Sequence, residues 1–305
     1  MEPIHFFYMF NVTIPTLDQL KVMIAVVDSG SFSAAAKRLH RSQPVISYSI
    51  SNLEEQLGVA LFERNGRRPE LTEIGKAVLA YARRISLVTD ELRASVAGLI
   101  QGVEGEVAIA IDALYPTETL ARALKAFSVR FPTVGVKLHI ESLGSIIQLV
   151  TDGDCQLGVS CLVMDWPDQI ESRDFGVLSM LPVSAPGHPL ASYPGPIPVS
   201  MLREHLQLTI IDRTRLSEHR DLAISGIRTW RVGSLGAMLS LLEAGVGWGH
   251  MPVHMVRRQL ESGRLVRLPL TARKGGTQPF TMIHRVNNPP GPAGQWLAET
   301  LVEMS

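Results

Sequence analysis

Cysteine is nearly missing from this sequence: Cys155 and Cys161 are the pair, too few for a disulfide framework. They flank one strand-like segment, a spacing that holds the thiols apart, and they read as small core residues rather than a redox pair. Net charge is missing too, with 29 basic side chains against 29 acidic ones. Any attraction for a charged partner must therefore be local. No apolar stretch is long and clean enough to cross a bilayer, so no membrane partner is expected. Ile4–Phe10 is apolar but lacks a basic n-region and a small-residue cleavage site, which a secretory signal needs. Residues 1–15 read as an extension ahead of the first domain, with Met9 as an alternative start. With 46% hydrophobic and 19% charged residues, the chain is expected to be a well-cored, cytoplasmic protein.

The familiar catalytic signatures are missing as well. There is neither a Gly-x-Ser-x-Gly elbow nor a P-loop, and no repeat of fixed period. Gly245-Val246-Gly247-Trp248-Gly249 follows a helical pattern instead of a strand, and its glycine spacing is wrong for a dinucleotide loop. His250 and His254 have i, i+4 spacing, but Pro252 between them opposes a continuous helix there and no Glu completes a zinc motif. No catalytic residue, cofactor or metal is expected. Tyr193–Pro198, rich in proline, reads as a stiff surface loop.

What is present is concentrated between Thr16 and Thr72. Leu17, Leu20, Met23, Ile24 and Val27 recur at helical spacing and predict one amphipathic helix over Leu17–Asp28. Ser29-Gly30-Ser31 ends it. Phe32 to Leu39 contains three consecutive alanines, good helix formers whose small side chains admit a neighbouring helix. His40-Arg41-Ser42 supplies a turn, and Ser42 is placed as N-cap of a helix over Gln43–Leu57 with Pro44 in its first turn. Ile46, Ile50, Leu53 and Leu57 form the apolar stripe of that helix, leaving Gln43, Pro44, Ser47, Tyr48 and Ser51 outward. Short amide and hydroxyl side chains at the start of such a helix suit the reading of base edges. Val59–Arg64 is strand-like, Asn65-Gly66 is a hairpin signal, and Arg67 and Arg68 follow the tip, where a wing meets phosphates or a minor groove. Ser31–Arg84 carries nine basic against five acidic side chains.

Gly30-Ser31-Phe32-Ser33-Ala34-Ala35-Ala36-Lys37-Arg38-Leu39, Ser42-Gln43-Pro44, Ser47, Leu53–Gly58, Leu61–Arg64 and Leu71–Gly75 closely resemble the N-terminal domain of LysR-type transcriptional regulators. The match is dense over about sixty residues. The resemblance implies a winged helix-turn-helix over residues 16–72 that binds double-stranded DNA through Ser33, Arg41, Ser42, Gln43, Pro44, Ser47, Tyr48, Ser51, Arg64, Arg67 and Arg68. The family commonly places basic or amide side chains where this chain has Tyr48, Ser51 and Asn52. Phosphate anchoring is thereby expected to shift toward Arg41 and the wing arginines, and Tyr48 to stack or touch a thymine methyl.

From Thr72, a candidate N-cap, Ile74, Val78, Tyr81, Ile85, Val88, Leu92, Val96 and Leu99 repeat at near-heptad spacing. They predict a linker helix over residues 73–101 that dimerises or packs in a core. The resemblance implies a homodimer or homotetramer that meets paired half-sites, with RNA polymerase as a further partner.

After the hinge Gln101–Gly105 the pattern alternates strands and helices. Strands are expected at Val107–Ile111, Val134–Ile140, Gln156–Ser160, Leu178–Ala185 and Leu208–Asp212, with helices at Glu118–Arg130, Ser145–Thr151 and Leu235–Ala244. The overall fold class is α/β. The resemblance implies a type-2 periplasmic-binding-protein architecture over 106–305: subdomain I at about 106–173 and 273–305, subdomain II at about 174–272, joined by strands crossing near Asp174 and Thr271. Ligands of open α/β sheets sit where strands end. The candidate effector contacts are Asp112, Ala113, Leu114, Ser142, Leu143, Gly144, Ser145, Cys161, Asp212, Arg213, Ser234 and Trp248. Ser142 and Ser145 beside a helix start suit an anion, and Arg213 suits a carboxylate, so a small anionic or aromatic effector is expected. Two alternatives stand: a DNA-binding regulator whose cleft is collapsed, and a small-molecule binding protein or enzyme of periplasmic-binding fold.

Overall fold

The computed structural model describes residues 14–63, 69–142, 144–161, 166–211, 226–271 and 277–305. The chain divides into two compact units between Ala97 and Gly98. The wing tip with Arg64, Arg67 and Arg68, together with Leu143, Asp212, Arg213 and the N-terminal apolar stretch, lies outside the described residues.

In the first unit Thr16 opens helix α1 (Leu17–Ser29) through a capping box: its hydroxyl accepts from the Gln19 N–H while the Gln19 amide oxygen accepts from the Thr16 N–H. These bonds satisfy donors that a helix start otherwise leaves unpaired. Gly30, at a φ of 69°, ends the helix in the left-handed region that favours glycine. Helix α2 (Phe32–Arg38) is capped by the Ser31 hydroxyl, and helix α3 spans Gln43–Leu57. Leu20, Met23 and Val26 of α1, Ala35 and Ala36 of α2, and Ile46, Ile50 and Leu53 of α3 share one buried core. Leu17, expected in the stripe of α1, is exposed. Sitting at the first helical residue, it lies beyond the neighbours that cover Leu20. Ser42 holds the N-cap position of α3, but its hydroxyl makes no capping hydrogen bond.

The base of the wing is fixed from below. Glu54 Oε1 accepts from the N–H groups of Leu61 and Phe62 at 2.6 and 3.1 Å, Phe62 pairs with Leu71 across the base, and the rings of Phe32 and Phe62 lie 5.7 Å apart. The Thr72 hydroxyl then accepts from Gly75 N–H at 2.9 Å at the start of α4 (Glu73–Ile100). A Cβ on Gly75 would overlap the Leu61 carbonyl, so glycine is required for this approach. Leu79 and Ala82 of α4 join the core, whereas Tyr81, Ile85, Val88, Leu92, Val96 and Leu99 are exposed. Apart from Val78, which packs against the core, the near-heptad stripe is uncovered in the single chain.

In the second unit the elements run β1 (Glu106–Asp112), α5 (Thr117–Arg130), β2 (Gly135–Glu141), α6 (Gly144–Asp152), β3 (Leu157–Ser160), β4 (Ile170–Ser184), a 3-10 turn Pro189–Ser192, α7 (Val199–Glu204), β5 (Gln207–Ile210), β6 (Thr229–Val232), α8 (Leu235–Glu243), β7 (Trp248–Pro252), α9 (Val253–Glu261), β8 (Val266–Arg267), β9 (Thr277–Arg285) and α10 (Pro292–Glu303). Strands follow the order β2-β1-β3-β9-β4-β7-β5-β6, with β8 on β4. Strands β1, β2 and β3 are parallel, as are β5, β6 and β7. Between the two groups lie β4 and β9, antiparallel to each other and each shared by its neighbours. The result is two α/β lobes joined through a pair of crossing strands.

One expected boundary changes. The strand expected from Leu178 begins at Ile170: Glu171, Ser172, Arg173 and Asp174 belong to it but are exposed, so they lack the apolar signal of a strand. Its partner β9 is described from Thr277 onward. His250 lies on β7 and His254 at the start of α9, with Pro252 ending the strand between them. The two histidines therefore share no helix face.

Candidate DNA-reading helix and ligand cleft

The exposed side of α3 begins at its N-terminus, as it must if the helix is to enter a groove end-first. Gln43, Pro44, Tyr48 and Ser51 are exposed and Ser47 is half-buried. Ser42 and Ser33, at the starts of α3 and α2, are exposed on the same small unit. Because the Ser42 hydroxyl caps nothing within the chain, it is available to an external partner.

Arg41 differs from the sequence expectation. Its guanidinium donates to both carboxylate oxygens of Asp18, at 2.7 and 2.8 Å. That hydrogen bonding holds the Asp18 carboxyl below its ordinary range and raises Arg41. Arg41 is thus already engaged by an anion on the chain. Asp28 similarly takes Arg83 of α4 at 2.7 Å and Arg38 at 3.8 Å, leaving fewer uncommitted cations around the helix pair than the residue count implies.

In the second unit a cleft of about 310 Å³ is lined by Ala113, Ile140, Glu141, Ser142, Ser145, Ile211, Gly233, Ser234, Leu235 and Gly236. It collects the ends of β1, β2, β5 and β6 and the starts of α6 and α8, one helix from each lobe. Each helix start presents backbone N–H groups and the positive end of its dipole. The Ser234 hydroxyl caps α8, accepting from Ala237 N–H at 3.4 Å. Ala113 is tied to the neighbouring strand by donating its N–H to the Glu141 carbonyl at 2.8 Å.

Of the candidate contacts, Ala113, Ser142, Ser145 and Ser234 meet at this cleft. Others are placed elsewhere. Asp112 is 1% exposed; its carboxylate accepts from Leu114 N–H at 2.9 Å and from the Cys161 thiol at 3.0 Å, turning inward to hold two strand ends together. Leu114 packs against the cores of both lobes, and Gly144 is buried at the start of α6. Trp248 is 0% exposed and packs among Leu190, Ile197, Leu202, Leu268 and Leu270. The expectation that it borders the cleft is corrected: its strand β7 lies between β4 and β5, and the large ring fills the inner side of that lobe.

Sequence reasoning missed Ile140, Glu141, Ile211, Leu235 and Gly236. Each is adjacent to a strand end or helix start that the pattern does place, but the facing direction of a strand's last residue is not readable without its partner strands. Glu141 brings a carboxylate to a site otherwise made of hydroxyls, glycine backbone and aliphatic groups.

Neither Cys155 nor Cys161 is exposed. Burial pushes the Cys155 thiol up to about 11, and burial together with the Asp112 carboxylate pushes Cys161 well above its ordinary value. Among the described residues no helix is long and apolar enough to cross a membrane, and no group of three metal-ligating side chains occurs.

Comparison with known proteins agrees with this division of labour. Residues 17–76 match the model of the bacterial regulatory helix-turn-helix protein, lysR family, and residues 101–305 match the LysR substrate binding domain. The chain is 30% identical over 288 residues to the HTH-type transcriptional regulator PunR of Escherichia coli, covering 92% of this chain and 91% of that protein. It is 26% identical to the regulator YeeY of the same organism, over 85% of this chain and 84% of that one. Among solved structures, the C206 mutant of OxyR from Corynebacterium glutamicum shares the fold at a TM-score of 0.54 and 20% identity, covering 97% of this chain and 94% of that chain. CrgA from Neisseria meningitidis shares it at 0.50 and 23%, covering 94% and 97%. The chain belongs to the LysR family: it is a DNA-binding transcription regulator, not an enzyme, with an N-terminal helix-turn-helix domain and a C-terminal effector-binding domain.

Proposed function

We propose that this regulator acts in the cytoplasm as a homo-oligomer joined along α4, reads paired DNA half-sites with α3, and responds to a small effector held between the lobes of the second unit. The observation that carries the effector reading is the cleft itself, at which helix starts from both lobes converge on about 310 Å³ of open volume. A ligand touching both lobes favours one lobe arrangement over another, and that difference in affinity is what shifts an equilibrium. An open cleft of this size favours the ligand-responsive reading over a collapsed one.

The serine hydroxyls and the starts of α6 and α8 suit an acidic group on the ligand. Glu141 disfavours a ligand that is purely anionic and favours one that also brings a donor or positive group. The uncovered stripe of α4 supports the oligomer, because exposed apolar residues in register are stabilised by a second copy of the same helix. Paired heads would then meet half-sites about one helical turn or its multiples apart. RNA polymerase is a natural further partner for a regulator bound upstream of a gene.

DNase footprinting of the full chain on the region upstream of its own gene, with and without a panel of small carboxylic and amino acids, tests the reading. Protection of two half-sites whose spacing or extent changes with one panel member is the expected result. A Ser145→Phe variant, whose ring would fill the cleft, is expected to keep the footprint and lose the change. An identical ligand response in that variant would refute the cleft as the effector site.

A further inference from the structure

The exposed side of α3 carries two rows rather than one. Gln43, Ser47 and Ser51 follow each other at i, i+4 and make a polar row. Beside it, Val45 and Tyr48 are spaced i, i+3, and Pro44 precedes Tyr48 at i, i+4. Val45 is 48% exposed and Tyr48 72% exposed. Neither contributes to the core of the first unit. A β-branched residue at an exposed helical position costs helix stability relative to alanine, lysine or glutamate, so Val45 is explained neither by the helix nor by the core.

An A·T pair presents in the major groove an adenine edge that pairs with an amide side chain and, beside it, a thymine 5-methyl group that accepts only apolar contact. Two adjacent rows, one polar and one apolar, match those two halves of the pair. Resting on the assignment of α3 as the DNA-reading helix, we propose that Val45 is a specificity-determining residue that reads a thymine 5-methyl group in each half-site, with Tyr48 walling the contact on the side of the polar row. The row predicts that thymine is preferred there over cytosine for its methyl group as well as its hydrogen bonding.

The test removes the methyl and nothing else. The full chain is used to select its operator from random duplexes, and each thymine of a half-site is then replaced in turn by deoxyuridine. Burying one methyl group is worth about a fourfold change in affinity, so one or two positions are expected to lose about fourfold on substitution. In the Val45→Ala variant the thymine and deoxyuridine duplexes are expected to bind equally at those positions, with an unchanged circular dichroism spectrum and a melting curve no lower than that of the parent. Specific binding without any deoxyuridine effect, or a Val45→Ala variant that keeps the full effect, overturns this proposal alone. Failure of the selection to enrich any sequence overturns the assignment of α3 as well.

Discussion

Arg41 grips Asp18 through two parallel hydrogen bonds of 2.7 and 2.8 Å, joining the turn before α3 to the first turn of α1. Fork-to-fork pairing of this kind is the strong form of the guanidinium–carboxylate contact, although in water it contributes little to stability. Its consequence lies in recognition, because the carboxylate occupies donors that a phosphate would otherwise take. Asp18→Asn is therefore expected to raise affinity for all duplexes alike. It should also steepen the slope of log affinity against log salt by about 0.9, the contribution of one more phosphate contact. Fluorescence anisotropy across a salt series decides: a gain confined to the operator would mean that Asp18 affects base reading instead.

The Asp18 carboxyl is held down chiefly by its hydrogen bond from Arg41. A depressed carboxylate keeps its partner at pH values above its ordinary range and releases it as the pH falls through the lowered value. The clamp is closed at neutral pH, so Asp18→Asn should differ from the parent there and converge with it in acid. The difference should therefore persist down to about pH 4 and shrink only below it, and a difference that has already vanished at about pH 5 would contradict the linkage.

His40 adopts a φ of 54°. It ends α2 as Arg41 N–H reaches back to the Ala36 carbonyl at 2.9 Å and His40 N–H to Lys37 at 3.2 Å, the arrangement in which helices usually place glycine. A side chain in the left-handed region costs about 1 kcal/mol. His40→Gly is expected to stabilise the first unit by about 0.5–1 kcal/mol, read as a higher midpoint in denaturant. A lower midpoint would mean that the imidazole makes a compensating contact.

Much of this architecture was legible because local chemistry and tertiary packing agree. Helix α3 falls where Ser42, Pro44 and the Ile46-Ile50-Leu53 stripe place it, ending at Gly58 in the left-handed region. Less legible were features that depend on distant partners. The Arg41–Asp18 pair joins residues 23 apart in sequence, and nothing in either neighbourhood distinguishes a clamped arginine from a free one. Strand β4 opens at Ile170 and runs on through Glu171–Asp174, where exposure on both faces erases the alternating pattern, and Trp248 resembles a cleft residue only until its strand is placed inside the sheet. The serines of the cleft were readable as strand ends, whereas Glu141 gained its role only from the opposite lobe.

Cys155 and Cys161 should be silent toward thiol reagents at pH 8 in the native state and react once unfolded, since a buried neutral thiol is a poor nucleophile. Both are raised above their ordinary values by burial. A thiol whose folded value is raised contributes stability below its unfolded value, and that contribution is lost as the pH climbs toward the folded one. For Cys155 the window runs from about 9 to about 11. Denaturation midpoints should decline across it, and less steeply in Cys155→Ala after correction for the cavity. Rapid native-state labelling at pH 8 would show that these thiols open to solvent.

Glu104, in the hinge after α4, reaches across to α10: the Ala293 and Gly294 N–H groups donate to its Oε2 and Oε1 at 2.9 and 3.1 Å. Gly291 N-caps the helix without any side chain to do so, and a Cβ at Gly291 would meet the Glu104 carboxylate while one at Gly294 would meet the Pro290 ring. A residue distant in sequence thus caps α10 and anchors the hinge to the lobe that holds β1. Losing a capping acceptor costs about 1 kcal/mol, ranging up to about 2 kcal/mol. Glu104→Ala is expected to lower the stability of the second unit by that amount, while Glu104→Gln, which keeps one acceptor and loses the charge that favours a helix start, should lose less. Denaturant titration of the full chain orders the three proteins. Equal loss in both variants would mean that the charge matters more than the pair of hydrogen bonds, and no loss in either would show that solvent satisfies the start of α10 equally well.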